Sequence, residues 1–300
     1  MAGSCSRGAP AMTEPLIVLL GATGVIGSAV AASLAERPVR VRAASRRSGD
    51  LRNPEELRKA VDGADAVVCL LADHRTPSLD SGVMAGLLDA KPPVVIYAGT
   101  VTQVGVPPRS LLDGTEEDRP ATAFERDKHA AERALLLATA EGAVRGVSIR
   151  LPTVYGHSAA NGRFDSGALT SVLRRAIAGE PLTMWHDGTV RRDLLHVRDA
   201  AAAVLAALDH ADELAGRHWL AGTGVGTPLG DAFRTVAEIV ARRTDTAPVP
   251  VVAVPPPRPL SAAELASMVV DPTAFQERTG WAARMSVRTG LEETVAAALP

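Results

Sequence analysis

Cysteine is scarce in this 300-residue chain, which carries only Cys5 and Cys69. Two thiols without metal-ligand spacing exclude a disulfide framework and a zinc site, and they fit a reducing, cytoplasmic setting. Cys69 lies in an apolar run and reads as a small core residue. An excess of positive charge is also missing. The formal net charge is −2, and without a basic stripe no nucleic-acid partner is expected. No apolar run approaches the roughly 18–20 residues a transmembrane helix needs, so no membrane partner is expected either. Residues 1–13 are small and polar without an apolar signal core, and read as a disordered leader. No internal repeat is present.

What is there is a chain with 46% hydrophobic residues, enough for one large α/β domain or a nucleotide domain with a smaller lobe. It is organised around Gly21-Ala22-Thr23-Gly24-Val25-Ile26-Gly27. The run Leu16 to Leu20 before this stretch reads as a buried strand, and Ser28 onward reads as a helix. Glycines at this spacing let the backbone turn off the strand, approach a diphosphate and pack the helix start on the sheet. The helix N-terminus then favours the phosphate charge.

Val39 to Ala44 reads as the second strand of a parallel sheet. Its end carries Ser45-Arg46-Arg47 where an NAD site usually has an acidic residue. A hydroxyl and guanidinium forks suit a 2′-phosphate, so NADP is favoured; the competing reading is solvated surface charge. Asn53-Pro54-Glu55-Glu56 opens a helix with a cap, an early proline and early acids. Between Arg47 and Pro54 there is no room for a third strand and its loop, so either the fold lacks that strand or residues are absent there, and His74 to Ser81 is similarly short. Ala66 to Leu71 and Pro93 to Tyr97 are further buried strands, with a helix at about Val83 to Asp89 between them. Gly99-Thr100-Val101-Thr102 follows, and the carboxyl ends of strands are where ligands gather in open α/β sheets. Thr122 to Ala140 is a long helix pattern that puts Phe124 and Lys128 on one face. Later pieces are a strand at Val147 to Leu151, a helix at about Leu169 to Ala178 and a short strand at Leu182 to Trp185. An Ala-rich helix from Asp199, a helix at about Leu229 to Arg242 and another at about Leu291 to Leu299 complete the chain.

With these pieces placed, the chain from about Ile17 onward resembles an extended short-chain dehydrogenase/reductase. The likeness rests on Gly21 to Gly27, Gly99-Thr100, Phe124 to Lys128, Leu151 to Gly156 and Arg192 to Asp199. Thr100 to Gly105, Leu182 to Gly188 and the segment after Arg191 are similar to dTDP-4-keto-6-deoxyhexose 4-ketoreductases of antibiotic-producing bacteria. The resemblance implies a Rossmann-type doubly wound parallel sheet over 14–160, with 186–227 returning to it. A smaller substrate lobe would comprise 161–185 and 228–300. It implies NADP(H) held by Gly21, Thr23, Gly24, Val25, Ile26, Gly27, Ser45, Arg46, Arg47, Leu71, Ala72, Lys128 and Leu151. It implies a homodimer through the helices at Val83–Asp89 and Thr122–Ala140.

In that family a tyrosine protonates the substrate oxygen, a lysine four residues later binds the nicotinamide ribose, and a serine or threonine holds the carbonyl. Lys128 and Thr100 match the lysine and the hydroxyl, whereas Phe124 stands at the tyrosine position. Loss of a positioned general acid costs about 10²–10⁴ in rate. Four readings stay open: a substituted tyrosine, a proton routed through Thr100, water and Lys128 or supplied by Tyr155 or His157, ligand binding without efficient reduction, or a displaced alignment. On the substrate side, Arg192 matches a diphosphate clamp, with a structural ion pair as the competing reading. Met184 and Trp185 match the nucleobase side, with core packing equally open; Thr102 and Thr153 are further contacts. Asp193, His196 and Asp199 read as structural, and His129 as surface. The function expected is reduction of a 4-keto sugar on a dTDP carrier. The alternatives are a sugar-nucleotide epimerase or dehydratase, and a non-catalytic NADP-binding protein.

Overall fold

Five consecutive apolar residues make Leu16–Leu20 (β1) a strand buried along its whole length. Because side chains alternate across a strand, Ile17 and Leu19 join one core cluster while Leu16, Val18 and Leu20 join another on the opposite face. The computed structural model describes residues 14–44, 49–72, 76, 78–158, 162–165 and 167–299; the proposed leader and Ser45-Arg46-Arg47 lie outside them.

After β1 the chain forms the helix Val25–Leu34 (α1) and the strand Arg40–Ala44 (β2). The helix Pro54–Val61 (α2), the strand Ala66–Cys69 (β3), the helix Leu79–Ala90 (α3) and the strand Val94–Thr100 (β4) follow. The helix Ala123–Ala140 (α4) leads to the strand Arg145–Leu151. One six-stranded sheet has the order β2, β1, β3, β4, Arg145–Leu151, His218–Leu220. All five pairings are parallel. The architecture is therefore the expected Rossmann-type α/β fold. Among the described residues nothing pairs outside β2, in keeping with the short stretch before Pro54. The order reverses at β1, whose two neighbours β2 and β3 lead away in opposite directions, and this is the switch point where such sheets bind ligands.

One face of the sheet is covered by α1 and the helix Val197–Asp209, the other by α2, α3 and α4. A third cluster gathers Leu173, Met184, Phe233, Val236 and Leu291 from the helices Ala168–Ile177, Leu229–Thr244 and Val287–Ala298 and the strand Leu182–Met184.

Several boundaries differ from the sequence reading. The helix α3 starts at Leu79 rather than near Val83, because Asp127 of α4 accepts from the N–H groups of Asp80 (2.9 Å) and Ser81 (3.0 Å). That cap comes from a residue far along the chain, which no local pattern announces. The helix of the Ala-rich segment begins at Val197, capped by His196, and a helix at Thr273–Thr279 had no strong signal. Cys69 is fully buried and its thiol is pushed up to about 12 by that burial.

Candidate active site

The glycine turn leaves β1 at the switch point. Gly21 has φ +86°, and a Cβ there would stand 2.9 Å from the Leu70 carbonyl oxygen. A Cβ on Gly27 would stand 2.1 Å from the Gly21 carbonyl oxygen, so the helix start can press against the turn only with glycine there. Gly24 caps α1 with no side-chain hydrogen bond, and no acidic residue lies in the first turn. The helix start thus presents backbone N–H groups and its positive end with no carboxylate to answer them, which suits a diphosphate. Thr23 is exposed and Val25 and Ile26 are half-buried beside it; Leu71 and Ala72 follow β3 across the switch point. These residues form a cradle that fits a dinucleotide.

Two strands along, Thr100 ends β4 beside Leu151, its register partner. Its hydroxyl oxygen accepts from the Thr102 N–H at 3.3 Å and lies 3.1 Å from the Thr102 hydroxyl. If Thr102 donates, the Thr100 oxygen fills both acceptor positions and keeps its own proton for a ligand oxygen. The Gln103 side chain accepts from the Thr100 N–H and donates to Glu132, which fixes the turn Val101–Val104.

The inner face of α4 carries Lys128, Ala131, Glu132 and Leu135, at helical spacing. Lys128 is buried, and its ammonium donates to the carbonyl of Leu71 (2.6 Å), Asp80 Oδ1 (2.7 Å) and the carbonyl of Ala98 (2.9 Å). Asp80 also accepts from the Tyr97 hydroxyl at 3.1 Å. Burial pushes the Asp80 carboxyl up against the opposing pull of Lys128. Phe124, half-buried one turn earlier, places its ring centroid 5.9 Å from the ammonium, and the Tyr97 centroid is 4.9 Å away. The sequence brought Phe124, Lys128 and Thr100 to light but not Asp80, whose place on Lys128 depends on α3 packing on α4.

Behind Thr100 lies a second buried polar group. Arg150 bonds Glu132 and, at 2.8 and 2.5 Å, both oxygens of Asp118. Glu132 also accepts from Ser148 at 2.6 Å. Burial alone would raise the Glu132 carboxyl, but the Arg150 guanidinium holds it below its ordinary value of 4.5. His129, read as surface, is half-buried with Nδ1 3.3 Å from Asp118.

The remaining candidates scatter. Tyr155 is buried in the third cluster, donates to the Val287 carbonyl at 3.3 Å and has its phenol pushed up by burial. His157 stacks on Phe164 at 4.9 Å and lines a cleft of about 580 Å³ between α1 and Glu293. Neither bonds the Thr100 hydroxyl, whose contacts are to Thr102. Arg192 forms no ion pair with Asp193; its guanidinium donates to the carbonyls of Glu264 (2.9 Å) and Ala266 (2.5 Å). Asp193 instead ties down Thr223 and Gly224. Asp199 accepts from the N–H groups of Arg284 and Met285, a locking role as expected. Met184 is buried in the third cluster, Trp185 is 46% exposed, and Thr153 is exposed on a short strand.

Residues 17–222 match the NAD dependent epimerase/dehydratase family. No curated protein matches the chain. Among solved structures, a UDP-glucose 4-epimerase from Thermotoga maritima with UDP-glucose is similar at 22% identity and a TM-score of 0.79, over 94% of this chain and 98% of the other. A dTDP-glucose 4,6-dehydratase from Bacillus anthracis in complex with NAD gives 15% identity, 0.79, 94% and 96%. RMD from Pseudomonas aeruginosa complexed with NADPH gives 19%, 0.77, 94% and 98%. At such identities these are likenesses of fold. The matched segment holds the glycine turn, Thr100, Phe124 and Lys128, and by that match the chain belongs to the NAD dependent epimerase/dehydratase family.

Proposed function

We propose that the chain holds NADP(H) along Gly21–Gly27 and reduces the C4 ketone of a dTDP-4-keto-6-deoxyhexose, with Thr100 in place of the usual proton donor. The observation that carries this reading is the uncapped start of α1 at the switch point, two strands from the Thr100 hydroxyl. Bound NADPH supplies the hydride that the ketone carbon accepts. Thr100 Oγ1 holds the ketone oxygen and gives it a proton, and Thr102 Oγ1, 3.1 Å away, replaces that proton from water. A neutral aliphatic hydroxyl without a base or cation on it is a weak acid, so the step is slow compared with one served by tyrosine. The backbone N–H groups of Gly24, Val25 and Ile26 would hold the phosphates, and Ser45, Arg46 and Arg47 would take the 2′-phosphate. Leu71, Ala72 and Leu151 flank the cofactor. The residues 161–185 and 228–300 form the sugar-nucleotide lobe, with Thr102, Thr153, Trp185, Met184 and Arg192 toward the dTDP-sugar. A second copy of the chain packs on the outer sides of α3 and α4.

A second reading is favoured by one specific contact set. Lys128 spends its three donors on Leu71, Asp80 and Ala98, and Phe124 has no donor to lend. A helix in this state supports dinucleotide binding without reduction. The two are separated by following NADPH oxidation with a dTDP-4-keto-6-deoxyhexose, for the chain as it stands and for Phe124→Tyr. Slow turnover that rises about 10²-fold in Phe124→Tyr is expected, since a positioned general acid is worth that much or more. NADPH binding with no turnover by either chain overturns the reductase reading in favour of the second. Tighter binding of NADH than of NADPH overturns the assignment to Ser45-Arg46-Arg47.

A further inference from the structure

We infer that Asp80 is a positioning residue that keeps the Lys128 ammonium engaged within the fold instead of free for the cofactor, and so sets how far α4 takes part in cofactor binding. The inference rests on the reading that a nicotinamide dinucleotide occupies the glycine turn. An ammonium has three donors and no acceptor. All three are committed here, at 2.6, 2.7 and 2.9 Å, so a ribose hydroxyl can gain one only if a present partner gives it up. Two of those partners are neutral backbone carbonyls, one just after β3 and one within β4. The third is the charged one, and it is the partner that decides.

The pair is also held in place from outside. Asp80 lies in the first turn of α3, whose N–H groups are tied to Asp127 of α4, one residue before Lys128. The Tyr97 hydroxyl fixes the same carboxylate oxygen at 3.1 Å. Both partners are about 2–3% exposed, so water and salt screen their attraction little. Separating a buried charge pair leaves an uncompensated charge on each side, which is strongly unfavourable. Phe124 one turn away offers no hydroxyl toward which the ammonium could move. The helix thus departs from a working tyrosine–lysine pair twice, at Phe124 by a missing group and at Lys128 by an occupied one.

Asp80→Asn removes the charge and keeps an acceptor oxygen of the same shape. NADPH affinity is to be measured by fluorescence titration for the unaltered chain, Asp80→Asn, Lys128→Met and the double variant, with thermal melts to confirm folding. Lys128→Met alone is expected to change affinity less than twofold. Asp80→Asn is expected to tighten it about tenfold, as a new charged hydrogen bond would, and Lys128→Met on that background to remove the gain. Equal affinities for the unaltered chain and Asp80→Asn, or a large loss in Lys128→Met alone, overturn the inference.

A second readout needs no cofactor. The chain has three lysines, Lys59, Lys91 and Lys128, of which the first two are exposed. Mapping acetic anhydride modification should find Lys59 and Lys91 labelled, Lys128 protected, and Lys128 labelled at least several-fold faster in Asp80→Asn. Labelling of Lys128 at the rate of the other two in the unaltered chain overturns the lock. Failure of every chain to bind NADPH, with this labelling pattern intact, overturns the cofactor reading instead.

Discussion

The glycine turn and the inner face of α4 both meet the segment just after β3, at Leu70 and Leu71, yet they are built from different material. Gly21 to Gly27 works through backbone alone: a positive φ, two close approaches and a helix start without a side-chain cap. The face of α4 works through side chains that meet partners from four other segments, namely Leu71, Asp80, Ala98 and Arg150. A backbone device tolerates almost no substitution and has one use. A side-chain network can be altered residue by residue, because each of its contacts rests on a separate partner.

Changes in the two regions should sharpen that contrast. The largest loss is expected from Gly27→Val, since even a Cβ at this position lies 2.1 Å from the Gly21 carbonyl oxygen. NADPH titration should show affinity falling more than about 100-fold, equivalent to about 2.7 kcal/mol or more. Next comes Arg150→Met, which leaves the buried Glu132 without its guanidinium and takes the same partner from the half-buried Asp118. Breaking a buried pair from one side costs about 3–5 kcal/mol, to be read by urea unfolding. Arg150→Met with Glu132→Gln should cost less than Arg150→Met alone, because one of the stranded charges is gone.

A smaller effect is expected from acid. The folded state holds the Glu132 carboxyl below 4.5, so the unfolded chain binds this proton more readily. Its contribution to stability is full above that ordinary value and is lost as pH falls through the lowered one. Unfolding free energy followed downward from about pH 6 should drop less steeply in Glu132→Gln than in the unaltered chain. The smallest change is expected from Trp185→Ala, because the side chain is 46% exposed. Stability should move by less than about 0.5 kcal/mol, while KM for the sugar nucleotide rises if the ring meets the nucleobase. An unchanged KM would remove Trp185 from the substrate side.

The same contrast explains what could be read from the chain. The sheet and the turn were legible because apolar runs and glycine spacing are local properties. Cys69 was legible as core for the same reason. The true start of α3 was not, because its cap is Asp127, 47 residues away along the chain. Asp80 looked like an ordinary helix residue until α3 and α4 packed together. The contacts of Arg192 were equally hidden: its guanidinium donates to the carbonyls of Glu264 and Ala266, more than 70 residues along the chain. Tyr155 and His157 carry the right chemical groups but sit in other parts of the fold.

The most direct test sets the two regions side by side in one NADPH titration of the unaltered chain, Gly27→Val and Lys128→Met. If the backbone turn alone holds the cofactor, the unaltered chain and Lys128→Met bind within twofold of each other and Gly27→Val does not bind. A Lys128→Met chain that loses affinity as severely as Gly27→Val, with both still folded, would contradict it.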